Sequence, residues 1–539
     1  MTRIAGCTIP LFSLRTRRSW GIGQISDLVP TAAWLKTGGM RLLQILPPYE
    51  LSDGETSPYG ARTAFGLDPV YIDLDAVEDL GPGGAESVLD DGERRELERL
   101  RASPRVDYDA VRVLKRGVLQ KAFRNFYERE WREDSPRAFE LRAFIAREAA
   151  WEDDLALYVT LREAYGSLGW EHWPDMEASA HEPKALDQRK KEHAERVLEH
   201  QYGQWLAHQQ WQKAREGLAA LGVELMGDLP FIVGHESADV WGHMIQFRND
   251  VTLGAPPDAF SPEGQNWNLP VYDWEVMDDD HLAWIVARTR HAARLYDRFR
   301  LDHVVGYFRM YVTPVRRDKN ENERANEGEA ATTTEGDGAR EKGFFYPDGE
   351  TAQRARGHRL LKTMVDAAEP ARIIAEDLGI IPDFVREVLE ELDIPGYRVI
   401  PWERDYVRHV YRTPNQFPRR SVASWSTHDT APISSWWREL QGWEREGLSQ
   451  LAGIELGAGD DERWIGLMST LLHARSDLTL VLGSEVVGDG LRINTPGLVS
   501  PENWTYRLPM AVEDLERDPG IQRRMEALRA MAKSSGRTE

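Results

Sequence analysis

Hydrophobic and polar positions along this chain fall into two alternating textures. Short apolar runs recur at Ile4–Pro10, Arg41–Pro47, Val223–Phe231, Phe299–Gly306, Ile373–Gly379, Gly396–Trp402, Ser421–Asp429 and Leu478–Glu485. Between them lie stretches with apolar residues at spacings of three and four, the mark of amphipathic helices. Strand-like runs separated by helices predict a parallel sheet, because parallel neighbours need crossovers and are covered on both faces. A closed (β/α)8 TIM barrel fits this α/β order, and a doubly wound open sheet fits the periodicity as well.

The spacing of the runs is uneven. Residues 82–221 are helical and charged in pattern, with the clearest periodicity at Val111–Glu130 and Ala194–Leu218. They are expected to form a helical insertion between the second and third strands, with 1–81 carrying the first two strands and 222–512 the remainder of the barrel. Within that remainder, residues 316–342 include the tract DKNENERANEGEAATTTEGDGARE, too poor in apolar residues to pack and expected to be disordered. Residues 513–539 are expected to form one amphipathic helix, Glu513–Ala532, and a short polar tail.

Composition narrows the function classes. A formal charge of -22 argues against nucleic acid as a partner, since phosphates require a basic surface. No apolar run approaches the roughly 20 residues of a membrane span, and no signal peptide is visible at Met1–Pro10. The one cysteine, Cys7, cannot form an intrachain disulfide, so a cytoplasmic location is expected. The 19 tryptophans supply flat faces suited to stacking on sugar rings.

Several apolar runs end in acids: Asp228, Asp302, Glu376 with Asp377, Asp429 and Glu485. In a barrel the carboxyl ends of the strands build the active site. An acid there is costly to bury without a partner or a task. One carboxylate can act as nucleophile while a second, with raised pKa, donates and recovers a proton, as in retaining glycosidases. Metal ligation is the rival use, but no H-x-H or H-E-x-x-H spacing accompanies these acids. No metal or other cofactor is expected.

An ordered set of motifs then carries a resemblance. SPYGARTAFGLDPVYIDL (57–74), GDLPFIVGHESADVW (227–241), GAPPDAFSPEGQNWNLPVYDW (254–274), RLDHVVGYFR (300–309), AEDLG (375–379), STHD (426–429) and INTPG with ENWTYRL (493–508) are similar to the amylomaltases of glycoside hydrolase family 77. The resemblance implies a 4-α-glucanotransferase that acts on α-1,4-glucans such as maltotriose, maltodextrin, glycogen or starch. By the same resemblance Asp302 is the nucleophile, Glu376 the general acid/base and Asp429 the acid that stabilises the transition state. Arg300 is expected to hold the nucleophile, and Ser57, Tyr59, Asp258, Trp267, His303, His428 and Asn494 to contact sugar. Monomer and homodimer are both compatible with the sequence.

The chain departs from the family pattern at Gly54 and Ala259, where aromatic residues are usual, at Asn268–Leu269, and at Thr430–Ala431. The loss of stacking surface predicts a transferase with more hydrolysis than its relatives.

Overall fold

A computed structural model describes residues 3–257, 264–315, 343–405 and 407–538. Asp258 and the polar tract 316–342 lie outside the described residues.

Eight parallel strands close into a barrel: Ile4–Thr8, Leu42–Gln44, Glu224–Leu229, Arg298–Leu301, Arg372–Ala375, Gly396–Val399, Ser421–Ser424 and Leu478–Leu482, here called the first to eighth strands. Ile4 pairs with Leu478 and Thr8 with Leu482, so the first and last strands complete the ring. This settles the open-sheet alternative in favour of the barrel. Every residue of the first and eighth strands is buried, as strands covered by lumen and helices must be.

The strands are shorter than the apolar runs, because each run continues past the last ladder bond into the loop above. The run at Phe299–Gly306 shows why: after Leu301 the chain turns through His303 at φ 46°. Asp302, Glu376 and Asp429 therefore stand on the mouth, above the ladder, whereas Asp228 lies within it.

Inward positions follow the period of two. Ile4, Leu42, Met226, Ile374, Tyr397, Val422, Leu478 and Leu480 form a compact lumen cluster. The fourth strand contributes arginines instead. Arg298 bonds Glu224 at the lower end of the third strand, and Arg300, in register with Asp228, bonds that acid above it. The lower pair is partly open at Glu224, whereas the upper, Arg300–Asp228, is buried and lies next to Asp302.

Helices wrap the outside. Ala194–Leu221 ends at Gly222 in the left-handed conformation (φ 67°), which lets the chain turn into the third strand. Pro136–Ala164 starts at Ser135, whose hydroxyl accepts the Ala138 amide, with Pro136 at the first helical position. Between the sixth and seventh strands the described residues hold only short 3-10 turns and a two-residue hairpin, with no α-helix.

Three features depart from the expectations. The loops above the third and fourth strands join in a four-stranded antiparallel sheet, ordered Gln265–Tyr272, Phe247–Ala255, Met310–Pro314, Phe344–Tyr346. Gly254 is needed there, because a Cβ would stand 2.0 Å from the Gln265 carbonyl oxygen. The helix expected at Glu513–Ala532 is two helices, Val512–Leu515 and Pro519–Ser534. Pro519 cannot continue a helix, and Asp518 Oδ1 caps the second by accepting the amides of Gly520 (2.8 Å) and Ile521 (2.9 Å). The tail after it is also not merely polar surface. Arg537 is fully buried beneath the barrel and donates to the carbonyls of Leu472, Ala474, Ser476 and Asp477 and, at 3.4 Å, of Ile4.

Candidate active site

The carboxyl ends of the third, fourth, fifth and seventh strands bring one polar cluster together. Arg300 is its centre. Its Nε donates to both oxygens of Asp228 (3.0 Å each) and its Nη2 to Asp302 Oδ1 at 3.0 Å. The two-residue spacing puts Arg300 and Asp302 on one side of the strand, as expected. Asp228 is completely buried, while the Asp302 side chain keeps 27% of its surface open. The buried acid anchors the guanidinium, and the accessible one is left to face the cleft.

Glu376 is fixed by the backbone of the neighbouring strand end. The His303 amide donates to Glu376 Oε2 at 2.7 Å. The Glu376 amide donates to the Leu301 carbonyl at 3.0 Å, and the Val304 amide to the Glu376 carbonyl at 3.3 Å. The left-handed turn at His303 allows this reciprocal pairing.

Asp429 sits on the loop after the seventh strand. Asn494 Nδ2 donates to its Oδ1 at 2.7 Å, and His428 Nε2 lies 3.3 Å from its Oδ2. Arg492 donates to its backbone carbonyl at 3.0 Å. Below, the buried Glu485 accepts the Ser426 hydroxyl (2.7 Å) and the amides of Ile433 and Leu482 (3.2 Å each), so it ties both ends of this loop to the eighth strand.

Tyr59 links the two halves. Its hydroxyl lies 2.7 Å from Asp228 Oδ2, 2.9 Å from His428 Nε2 and 2.8 Å from Arg300 Nη2. Its ring stacks on His428 at 5.8 Å and tilts against Trp504 at 5.7 Å. Ser57 shapes the turn that presents Tyr59: its Oγ accepts the Tyr59 amide at 3.4 Å, and its own amide donates to Glu55. Trp267 approaches from the antiparallel sheet and meets His303 edge to face at 5.3 Å. Among the expected sugar contacts, Tyr59, Trp267, His303, His428 and Asn494 thus converge on the acids, Ser57 supports from the turn, and Asp258 is not described. Gly54 has φ 80° and nothing within 4 Å of a built Cβ, so an aromatic there would have room but a strained backbone.

Electrostatics separate the three acids. Burial above all pushes the Glu376 carboxyl up to about 8; the charges of Asp302 and Asp429 add to this, and Arg300 and the His303 amide oppose it. Burial also pushes Asp302 up to about 6, against Arg300 and His428. The direct Arg300 contact falls on Asp302 and favours ionisation of that acid ahead of Glu376. Burial would raise Asp429 as well, but His428 and Asn494 together hold it well below the usual carboxylate range. Burial lowers His303 to about 4, leaving the ring neutral. One acid is kept protonated and two anionic within one cleft, a division suited to acid/base and nucleophilic work. Among the described residues no group of three or more His, Cys, Asp or Glu side chains could hold a metal ion.

Roles missed from the sequence include Trp504 beneath Tyr59 and His428, and Glu485 beneath the Asp429 loop. Trp504 lay within a quoted motif, but its partners are remote in the chain. Asp377 accepts the Tyr397 amide (2.6 Å) and Arg398 (2.9 Å) away from the cluster.

Residues 9–512 match a family model described as 4-alpha-glucanotransferase, glycoside hydrolase family 77. A 4-alpha-glucanotransferase from Chlamydia trachomatis is 30% identical over 538 residues, covering 97% of this chain and 94% of that one. The 4-alpha-glucanotransferase from Thermus thermophilus is 30% identical over 492 residues, covering 88% and 89%. Among solved structures, amylomaltase from Streptococcus agalactiae in complex with acarbose has a TM-score of 0.81 at 22% identity and covers 100% of both chains. Amylomaltase from Corynebacterium glutamicum has a TM-score of 0.76 at 21% identity, covering 98% of this chain and 75% of that one. These two likenesses speak to the barrel and its decorations, whereas the family model spans the strand-end acids and nearly the whole sequence: this chain belongs to glycoside hydrolase family 77, the 4-alpha-glucanotransferases.

Proposed function

We propose that this 4-alpha-glucanotransferase works by a retaining double displacement, moving α-1,4-glucan segments to the 4-hydroxyl of glucose or of another α-1,4-glucan. Asp302 attacks the anomeric carbon of the donor; the bond from that carbon to the glycosidic oxygen breaks, and Glu376 gives its proton to the departing oxygen. The product is a β-glycosyl ester on Asp302. Glu376, now a carboxylate, takes the proton from an incoming 4-hydroxyl, whose oxygen attacks the same carbon and releases Asp302. Two inversions restore the α configuration, and one bond is exchanged for another of the same kind. Asp429, held anionic, faces the positive charge that develops on the donor ring.

The observation that carries this reading is the geometry of the two acids: Arg300 contacts Asp302 at 3.0 Å, and the His303 amide holds Glu376 beside it at 2.7 Å. Arg300 keeps the attacking acid ionised, while burial keeps the proton on its neighbour. Ser57, Tyr59, Asp258, Trp267, His303, His428 and Asn494 are assigned to the sugar. The buried lone cysteine accords with a reducing, cytoplasmic setting, and among the described residues no helix is long and apolar enough to cross a membrane. Incubation with maltotriose, with products resolved by length, tests the reaction. Longer oligosaccharides are expected together with glucose and maltose; glucose and maltose alone would mark a hydrolase.

A further inference from the structure

A cavity of about 100 Å³ lies apart from the cleft, between the segment that leads into Tyr59 and the helices Tyr108–Phe126, Pro136–Ala164 and Ala194–Leu221. It shares no lining residue with the acid cluster. Its volume is several times the roughly 30 Å³ of one liquid water, so it can admit a small polyatomic group.

The walls carry an imbalance of hydrogen-bonding capacity. Arg62 lines the cavity with its side chain only 7% exposed. Among the described residues its guanidinium makes no hydrogen bond: Nε is buried without an acceptor, and the one carboxylate within 4 Å is Glu50, 3.7 Å from Nη1. Arg112 donates from Nη2 to the Glu55 carbonyl at 2.9 Å, but its buried Nη1 has no acceptor. Lys115, 1% exposed, donates to the Ile72 carbonyl at 2.6 Å and has no carboxylate within 4 Å among the described residues.

The acids of the same walls have other partners, Asp53 with Arg116 (3.0 Å) and Glu199 with Arg196 (3.4 Å) among them. Glu50 Oε2 accepts His200 (3.0 Å) and Gln204 (2.9 Å). Asp68 accepts the amides of Val70 (2.9 Å) and Leu51 (3.2 Å). Glu163 takes both donors of Arg196, at 2.7 Å each. The donors left over are thus cationic, forked and buried. Buried polar groups are normally satisfied, and a guanidinium is matched in geometry to a tetrahedral oxyanion.

We propose that this cavity binds a small molecule through a phosphate group held by Arg62 and Arg112, with Lys115 beside them. The group belongs either to inorganic phosphate or to a sugar phosphate. Calorimetric titration of the full chain at fixed ionic strength, with inorganic phosphate and separately with glucose 1-phosphate, tests the assignment. Saturable binding at millimolar concentration or below is expected. It should weaken by about tenfold to a hundredfold in Arg62→Met, the loss of one charge-assisted partner, and similarly in Arg62→Gln, which keeps donors but no charge. Folding of each variant is checked by near-UV circular dichroism. Tighter binding of the ester identifies a sugar phosphate, and equal binding identifies the free ion. No saturable binding to the unaltered chain, or the same affinity in either folded variant, would overturn the proposal.

Discussion

The backbone amide of His303 donates to Oε2 of Glu376 at 2.7 Å, so the residue next to Asp302 holds the acid of the neighbouring strand end. The carbonyl oxygen of a carboxylic acid is a better acceptor than its hydroxyl, so this contact favours a proton of Glu376 on Oε1. Orientation of the acid and placement of its proton both depend on a backbone turn, which side-chain substitution at His303 would leave in place.

Asp302→Asn should abolish the covalent step and leave the Arg300–Asp228 pair intact. Transfer on maltotriose is expected to fall by about 10³-fold or more, with an unchanged melting temperature. Retention of a tenth of the activity by the purified variant would exclude Asp302 as the nucleophile.

Glu376→Gln should separate two kinds of donor. With natural glucans, whose leaving oxygen needs a proton, the loss should be about 10²–10⁴-fold. With a maltosyl fluoride, whose leaving group needs none, formation of the glycosyl-enzyme should be largely preserved. Equal damage to both donors would show that Glu376 acts structurally.

The pH profile follows from the same two groups. The proposed mechanism requires Asp302 ionised and Glu376 protonated, and burial pushes these groups up to about 6 and about 8. Hence kcat/KM should rise as pH climbs through about 6 and fall as it passes about 8, giving a bell. In Glu376→Gln, assayed with the fluoride donor, the alkaline limb should vanish and the acid limb remain. An alkaline limb that survives this substitution would belong to another group.

Tyr59→Phe keeps the ring on His428 and Trp504 but deletes the hydroxyl shared by Asp228, Arg300 and His428. Leaving those buried groups short of a partner should lower stability by about 1–3 kcal/mol. The acid limb should also shift, because Arg300 is freed to move relative to Asp302. A fully active, equally stable variant with an unaltered pH profile would show that Tyr59 contributes stacking alone.

Trp267 stands edge-on to His303 from the antiparallel sheet, where it can cover the glycosyl-enzyme and the incoming sugar. Trp267→Ala should raise the fraction of glycosyl-enzyme lost to water several-fold, on the order of one aromatic contact, about 1 kcal/mol. Glucose release measured against chain lengthening on maltotriose gives this ratio. An unchanged ratio would place acceptor binding elsewhere.

The barrel was legible because its strands are continuous apolar runs, buried on both sides and repeated around the ring. Arg300 and Asp302 were legible as neighbours because two residues on one strand share a face. The hub at Tyr59 was not, since its hydroxyl meets groups 169, 241 and 369 positions away, and no local period encodes such a meeting. The antiparallel sheet was missed for a related reason. Its strands come from two loops, and Gly254 and Pro270 interrupt the alternation that would announce them. The break at Pro519 was readable in principle, for Asp-Pro is a common helix start, but the apolar spacing on either side concealed it.

Ring closure by Ile4 and Leu478, latched from below by Arg537, has a consequence for how the molecule is made. The first strand leaves the ribosome with one edge paired to the second strand and the other facing a partner not yet synthesised. At about 5–20 residues per second that edge waits roughly 25 to 95 s for the eighth strand. An unpaired parallel edge of apolar residues is a template for aggregation. The nascent chain should therefore depend on chaperone capacity during expression, and slowed translation near the 3′ end of its message should lower the soluble yield more than the same pause placed early.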